Sequence, residues 1–325
     1  MKPCFVGIDT SNYTTSLAIC DISGNVVANI KMPLAVENGQ RGLRQSDALF
    51  EHTRNMPTAM QELKKVLADY EPLAVGASVR PRDAEGSYMP VFLAGKSAAY
   101  AFSAGRGIDV YELSHQSGHI MAALYSAGRI DLLEAPRFLA FHVSGGTTEA
   151  LLVTPNDTLF SVEIVGNTAD INCGQAIDRV GVAMGLAFPC GKEMERLASE
   201  FCGKAYKRDV CVKNGVCSLS GLENMALRLY NETNNKRAVS AFVFDYIEKT
   251  LEKMCSDAIE KAGEMPVIFA GGVMSNKLMR KGLSSNFDAY FSEPEFSADN
   301  AAGIALLCRR AYKKQNGEEW NRETL

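Results

Sequence analysis

The chain has no CxxC pair, and its nine cysteines are an odd number at irregular spacings. That excludes a regular disulfide framework and fits a reducing, cytoplasmic setting. Long hydrophobic runs are missing too. No apolar stretch approaches the roughly 18 residues of a membrane span, and the opening MKPCFVGIDTS carries no apolar run of leader length, so no membrane association is expected. Charge of one sign is scarce: 34 Lys and Arg against 38 Asp and Glu leave a net charge of −4. A protein that coats nucleic acid through a field over its whole surface is thereby excluded, although a local basic patch is not. Histidine is rare, with four in the chain. At 46% hydrophobic residues the chain is too apolar for disorder to be its main state.

What is present reads as two copies of one plan. At roughly 150 residues per domain, 325 residues make about two domains. Strands are expected at Cys4–Ile8, Thr15–Cys20 and Asn25–Lys31, then a helix over about Leu43–Tyr70, where Leu49, His52, Met56, Met60, Leu63 and Leu67 recur at helical spacing. A strand (Leu73–Val79), a helix (Met89–Ala104), a strand (Asp109–Glu112) and a helix (Ser114–Ala127) follow. The second half repeats the order. Its strands are Phe138–Val143, Glu149–Val153 and Phe160–Ile164, and a helical region begins at about Ile171. Then come strand Val267–Ala270, helix Ser275–Ser284, strand Ala289–Phe291 and helix Ala298–Tyr312. Repeated order without repeated sequence predicts two similar α/β lobes with a nucleotide cleft between them, residues 1–112 plus 297–325 and residues 113–296, the second with helical insertions.

The sharpest chemical feature is His115 and His119, at i and i+4 near the start of a helix. That spacing sets both rings on one face, with Cβ atoms about 5–6 Å apart, where they either share a cation or are ordinary helix histidines. Asp299, placed at the start of the last helix of the second half, is expected to join them from the other lobe. The set is not a metalloprotease helix of the HExxH kind, because Gln116 stands where the general base belongs. Cys202, Cys211 and Cys217 lie close in sequence but match no zinc-ribbon spacing.

Two glycine turns form the second feature. Ser144-Gly145-Gly146-Thr147 joins two strands, and Gly271-Gly272 precedes a helix beginning near Ser275-Asn276. Small residues let backbone N–H groups approach an anion, and a helix N-terminus after glycine suits a phosphate. Taken singly, each is also an ordinary tight turn. In the first turn, Asp9 and Thr10 read as a phosphate or Mg2+ contact or as an Asx-type turn. Asp178 reads as a ribose acceptor or a solvated helix residue. Lys204, Lys207, Arg208 and Lys213 form a loose cluster that RNA phosphates would suit.

Together these motifs resemble the TsaD family, also called Gcp or glycoprotease-like, of the actin, sugar-kinase and heat-shock-chaperone superfamily. The resemblance runs from Gly7-Ile8-Asp9-Thr10-Ser11 to Ala298-Asp299-Asn300-Ala301-Ala302. It passes through the two histidines, Val143-Ser144-Gly145-Gly146, Gly174-Gln175-Ala176-Ile177-Asp178, Pro189-Cys190-Gly191, Leu219-Ser220-Gly221-Leu222 and Ala270-Gly271-Gly272-Val273-Met274-Ser275-Asn276. It implies transfer of a threonylcarbamoyl group from threonylcarbamoyl-adenylate to the N6 amine of the tRNA adenosine next to the anticodon, with partner subunits. It implies a divalent metal, iron first and zinc or magnesium as alternatives, on His115, His119 and Asp299. It also implies ATP or adenylate on His142, Val143, Ser144, Gly145, Gly146, Asp178, Gly191 and Asn276, with Asp9 as a catalytic candidate. Four departures stand near these residues. Asn12-Tyr13-Thr14-Thr15 replaces Cys-Asp-Glu-Thr, and Ser117 replaces a Glu. Thr147-Thr148-Glu149 replaces His-Thr-Gln, and Arg80-Pro81-Arg82 replaces Gly-Pro-Gly. The alternatives are therefore a paralogue serving another acceptor and a non-catalytic nucleotide-binding subunit.

Overall fold

Strand β1 (Lys2–Thr10) is buried on both faces from Cys4 onward, which its near-continuous apolar run dictates. In a computed structural model, describing residues 1–11, 13–35, 43–156, 159–206 and 208–317, it is the middle strand of a five-stranded sheet. Its partners are β2 (Thr14–Asp21), β3 (Val26–Pro33), β4 (Tyr70–Arg80) and β5 (Asp109–Ser114), in the order β3-β2-β1-β4-β5. β1 runs antiparallel to β2 and parallel to β4, and β4 runs parallel to β5.

Strand alternation sorts β1 between two layers. Cys4, Val6 and Ile8 join a core with Ala59 and Leu63 of α1 (Gln45–Val66), Leu67 just after it and Ala99 of α2 (Leu93–Arg106). Phe5, Gly7 and Asp9 point the other way. Phe5 packs its ring, tilted, against Tyr312 of the late helix α10 (Ala302–Gln315), and Gly7 lies against its Ala305 backbone. On that second face α10 packs on α3 (His115–Ser126).

The second sheet contains β6 (Phe138–Val143), β7 (Thr148–Pro155), β8 (Phe160–Thr168), β9 (Val212–Lys213), β10 (Val216–Cys217), β11 (Val267–Ala270) and β12 (Ala289–Phe291), ordered β12-β11-β6-β7-β8-β10-β9. β6 is antiparallel to β7 and parallel to β11. The order β8-β7-β6-β11-β12 thus repeats that of the first sheet, as expected, and the small β9–β10 hairpin is an addition the sequence reading missed. The core of this half gathers α4 (Cys173–Ala183), α5 (Gly191–Ser199), α6 (Ser220–Thr233), α7 (Lys236–Ala262) and α8 (Lys277–Asn286) around Phe141, Phe242, Ile247 and Phe269. A four-residue turn of helix, α9 (Pro294–Ser297), precedes α10.

The chain divides into two compact units, Met1–Leu133 with Asn156–Ser161 and Glu295–Leu325, and Glu134–Pro155 with Val162–Pro294. The expected division at 112/113 had put α3 with the second half; here α3 groups with the first. No helix among the described residues is long and apolar enough to cross a membrane.

Candidate functional site

Ser114 closes β5 and caps α3, its hydroxyl accepting from the Ser117 N–H at 3.1 Å. The helix therefore opens on His115, with His119 one turn later. Their Nε2 atoms lie 2.9 Å apart. Asp299 Oδ1 is 3.3 Å from His119 Nε2 and 3.7 Å from His115 Nε2. The three ligand atoms lie within 4.8 Å of one another, the one such group among the described residues, and no cysteine takes part.

Asp299 does not begin the last helix, as the sequence reading had it, nor does it reach the histidines from another lobe. It precedes α10 by three residues and belongs to the same unit as α3. Asn300 shapes this segment: its Nδ2 donates to the carbonyls of Phe296 and Ala298, and its Oδ1 accepts from the Ala302 N–H at 3.1 Å. The approach of α10 to α3 depends on glycine. A Cβ on Gly303 would stand 1.9 Å from the Gly118 carbonyl oxygen, between the two histidines.

Asp9, at the end of β1, is fully buried. Its Oδ1 accepts from His115 Nδ1 at 2.9 Å and from the Ser78 hydroxyl of β4 at 2.5 Å. Its Oδ2 has no hydrogen-bond partner. Burial works against a charged His115, but the carboxylates of Asp9 and then Asp299 outweigh it and hold its pKa up at about 9. Burial likewise opposes charge on Asp299, yet the bond from His119 and the charges of both rings hold its carboxyl well below the usual range.

Two imidazole nitrogens that face each other at 2.9 Å beside a carboxylate oxygen need a proton or a cation between them, since bare lone pairs repel. Two imidazoles and one carboxylate suit Fe2+ or Zn2+. They suit Mg2+ poorly, because that ion takes oxygen ligands. The residues present thus fit an iron or zinc ion, which must displace any proton held there.

A second carboxylate braces the same helix and had no signal in the sequence beyond its place in a charged loop. Asp83 Oδ2 accepts from the Ser114 and Ser117 hydroxyls, each at 2.6 Å, and Oδ1 accepts from Arg80 Nε at 2.9 Å. Burial would raise its pKa, but these bonds hold it below the usual range. Next to it, the Gln116 N–H donates to the Pro81 carbonyl at 3.0 Å. His52 was also missed as more than a core residue. Buried in α1, it accepts from the Thr15 hydroxyl on Nδ1 and reaches the Ser11 carbonyl with Nε2. A carbonyl only accepts, so Nε2 carries a proton, and burial disfavours a second one on Nδ1. Asn12 lies outside the described residues.

The expected nucleotide residues all fall in the second unit. His142 and Val143 end β6, in line with Glu149 and Thr148 of β7. Gly145 and Gly146 are exposed, with open space where a Cβ would stand. The Ser144 hydroxyl already accepts from the N–H groups of Gly146 (3.2 Å) and Thr147 (3.1 Å), so the turn supplies its own oxygen to two of the donors expected to meet an anion. The Gly174 N–H, at the start of α4, donates to the Ser144 carbonyl at 3.1 Å. Gly271 has φ of 101° and presses on the Val143 carbonyl, a conformation and a spacing that exclude any side chain. The two turns therefore touch, at the ends of the neighbouring parallel strands β6 and β11, where ligands of α/β sheets bind. Asp178 Oδ1 accepts from the Cys190 N–H at 2.8 Å, beside Gly191, and burial raises its carboxyl pKa. Asn276 is occupied as a helix cap, its Oδ1 accepting from Leu278 and Met279 N–H groups, while its Nδ2 has no partner. Lys204, Arg208 and Lys213 are exposed, and Lys207 lies outside the described residues.

Two α/β sheets of matching strand order define a sugar-kinase-type fold. The chain superposes on a ROK-family glucokinase from Streptomyces griseus, solved with glucose and AMPPNP, with TM-score 0.54 and 10% identity over 95% of this chain and 99% of that one. Within that fold, residues 46–306 match TsaD, tRNA N6-adenosine threonylcarbamoyltransferase, and the chain belongs to this family of transferases. A protein of that name from Christiangramia forsetii is 27% identical over 96% of this chain and 94% of its own length. Another from Streptococcus suis is 28% identical over 97% and 94%.

Proposed function

We propose that this chain transfers a threonylcarbamoyl group from threonylcarbamoyl-adenylate to the N6 amine of the tRNA adenosine next to the anticodon. In that reaction the N6–C bond forms, the mixed anhydride C–O bond breaks, AMP leaves, and the amine gives up one proton to the solvent. The observation that carries the reading is family membership over residues 46–306 together with the convergence of His115, His119 and Asp299. Held by those three residues, an iron or zinc ion would supply Lewis acidity to a carbamoyl or phosphate oxygen. The turns at Ser144–Gly146 and Gly271–Gly272 receive the adenylate, and Asp178 offers a carboxylate to its ribose. For a phosphate to use the Gly146 and Thr147 donors, the Ser144 hydroxyl must give them up. Partner subunits assist, and the work belongs to the cytoplasm, a setting that nine free thiols fit.

One observation favours a second reading, a paralogue with a different acceptor. Two departures from the family pattern meet in space: Arg80 and Ser117 both bond Asp83. Both departures thus fall on one carboxylate beside the helix that carries the histidines. The test is to incubate the purified chain with threonylcarbamoyl-adenylate and unmodified tRNA, with and without the family's partner subunits, and to analyse nucleosides by mass spectrometry. Threonylcarbamoyladenosine is expected with the wild type and absent with His115→Ala. No modified nucleoside in any mixture overturns the first reading and leaves the second.

A further inference from the structure

We propose that Asp9 is a positioning residue of the metal centre: by accepting the Nδ1 proton of His115 it turns that ring so that Nε2 faces His119 and Asp299. The inference rests on the metal reading above and goes beyond the three ligands.

A histidine ligates through one nitrogen, and the hydrogen bond made by the other decides which. Here the choice is explicit. His115 Nδ1 lies 2.9 Å from Asp9 Oδ1. A carboxylate oxygen that already accepts from Ser78 presents only lone pairs, so the proton sits on Nδ1. Nε2, the nitrogen 3.7 Å from Asp299 Oδ1, then keeps its lone pair for the cation.

Asp9 is not itself in the convergent group, which contains His115, His119 and Asp299. Nor is it spent on an Arg or Lys: its Oδ1 accepts from Ser78 and His115, and Oδ2 has no partner. A buried carboxylate with one unpaired oxygen is costly on its own. Its charge is used where it leans on an imidazole, which makes the ring a more basic ligand. The placement follows from strand alternation. Asp9 shares the α10-facing side of β1 with Phe5 and Gly7, whereas its neighbour Thr10 turns to the other layer and bonds the Gly95 N–H of α2. Shifting the strand by one residue would leave His115 without this acceptor.

The test measures Zn2+ affinity of the purified full chain by competition with a chromophoric chelator, so it needs neither tRNA nor adenylate. Asp9→Ala is expected to weaken Zn2+ binding about 10–100-fold. Asp9→Asn, which keeps an acceptor oxygen but no charge, is expected to lose less. With His115→Ala already in place, removing Asp9 should cost nothing more. In 15N-histidine spectra of the Zn2+-loaded wild type, His115 should carry its one proton on Nδ1, and Asp9→Ala should lose that preference. Should Asp9→Ala fail to fold, Asp9→Asn carries the same cycle and spectrum. Wild-type Zn2+ affinity in the folded variants, or an equal loss in the His115→Ala background, overturns the role of Asp9. A wild type that takes up no Zn2+ overturns the metal reading itself.

Discussion

The residues around α3 and those around the turn at Ser144 are built in opposite ways. In the first unit the chemistry sits on side chains: Asp9, Ser78, Ser114 and Ser117 are buried, and each is tied to another polar group. In the second unit it sits on backbone, in exposed glycines whose neighbours leave open space. A charged or ligating side chain must be aimed before use, and packing supplies the aim. A backbone turn needs only room and the correct dihedrals. Disturbing packing should therefore damage the histidine cluster and the fold together, whereas adding bulk at the turn should affect a ligand and little else.

The largest effect is expected from Gly303→Ala. A methyl group 1.9 Å from the Gly118 carbonyl oxygen must push α10 away from α3, carrying Asp299 from the histidines. Overpacking of backbone against backbone costs about 3 kcal/mol, and Zn2+ uptake should fall with it. Gly145→Ala, where the added carbon meets nothing within 4 Å, should change stability by less than about 0.5 kcal/mol. Urea melts of the two variants compare the regions directly. Equal melting of Gly303→Ala and wild type would show that the helices have slack that the packing denies.

A smaller effect is expected in the second unit. Gly145→Val fills the space above the turn, so AMP, the product of the proposed transfer, should bind about tenfold more weakly, or about 1.4 kcal/mol, by calorimetry. Stability should stay near that of the wild type, and so should Zn2+ uptake. A Gly145→Val protein that binds AMP as the wild type does would remove the nucleotide role from this turn.

The same contrast governs what was legible in the sequence. The glycine turns could be read from local residues, because a strand end followed by small residues is a local pattern. So could the strands themselves, since Phe138–Val143 and Val267–Ala270 are short apolar runs between turn signals. The histidine pair was legible because i and i+4 is also local. Their support was not. The assignment of α3 to the first unit depends on Gly118 meeting Gly303, a contact between residues with no side chain and so no hydrophobic period. Asp83 follows Arg80-Pro81-Arg82, a charged loop that reads as solvated, and only the fold brings it under Ser114 and Ser117. Asn276 could have been recognised as a cap from its place before a helix, which assigns its oxygen to backbone and not to a nucleotide.

His52 offers the finest probe of the tightly packed region, because it joins α1 to the turn after β1 through a ring that must stay neutral. Burial lowers its pKa below 6.5, with the Ser11 carbonyl and the charges of Asp9 and Asp299 only partly offsetting that. In the unfolded chain the ring takes a proton once pH drops under about 6.5; in the native chain it does not until lower. Its contribution to stability is therefore complete above about 6.5 and is lost as pH falls towards the native pKa. His52→Gln keeps an N–H for the Ser11 carbonyl and removes the titration. At pH 7.5 the variant should be less stable by about 1 kcal/mol for the lost bond to Thr15. Between about pH 7.5 and 5.5 it should lose up to about 1 kcal/mol less than the wild type, the other histidines contributing equally to both. Urea unfolding at the two pH values measures the difference. Parallel losses in both proteins would mean that the ring gains its proton without leaving the fold, and that the packing around the first turn is looser than its hydrogen bonds imply.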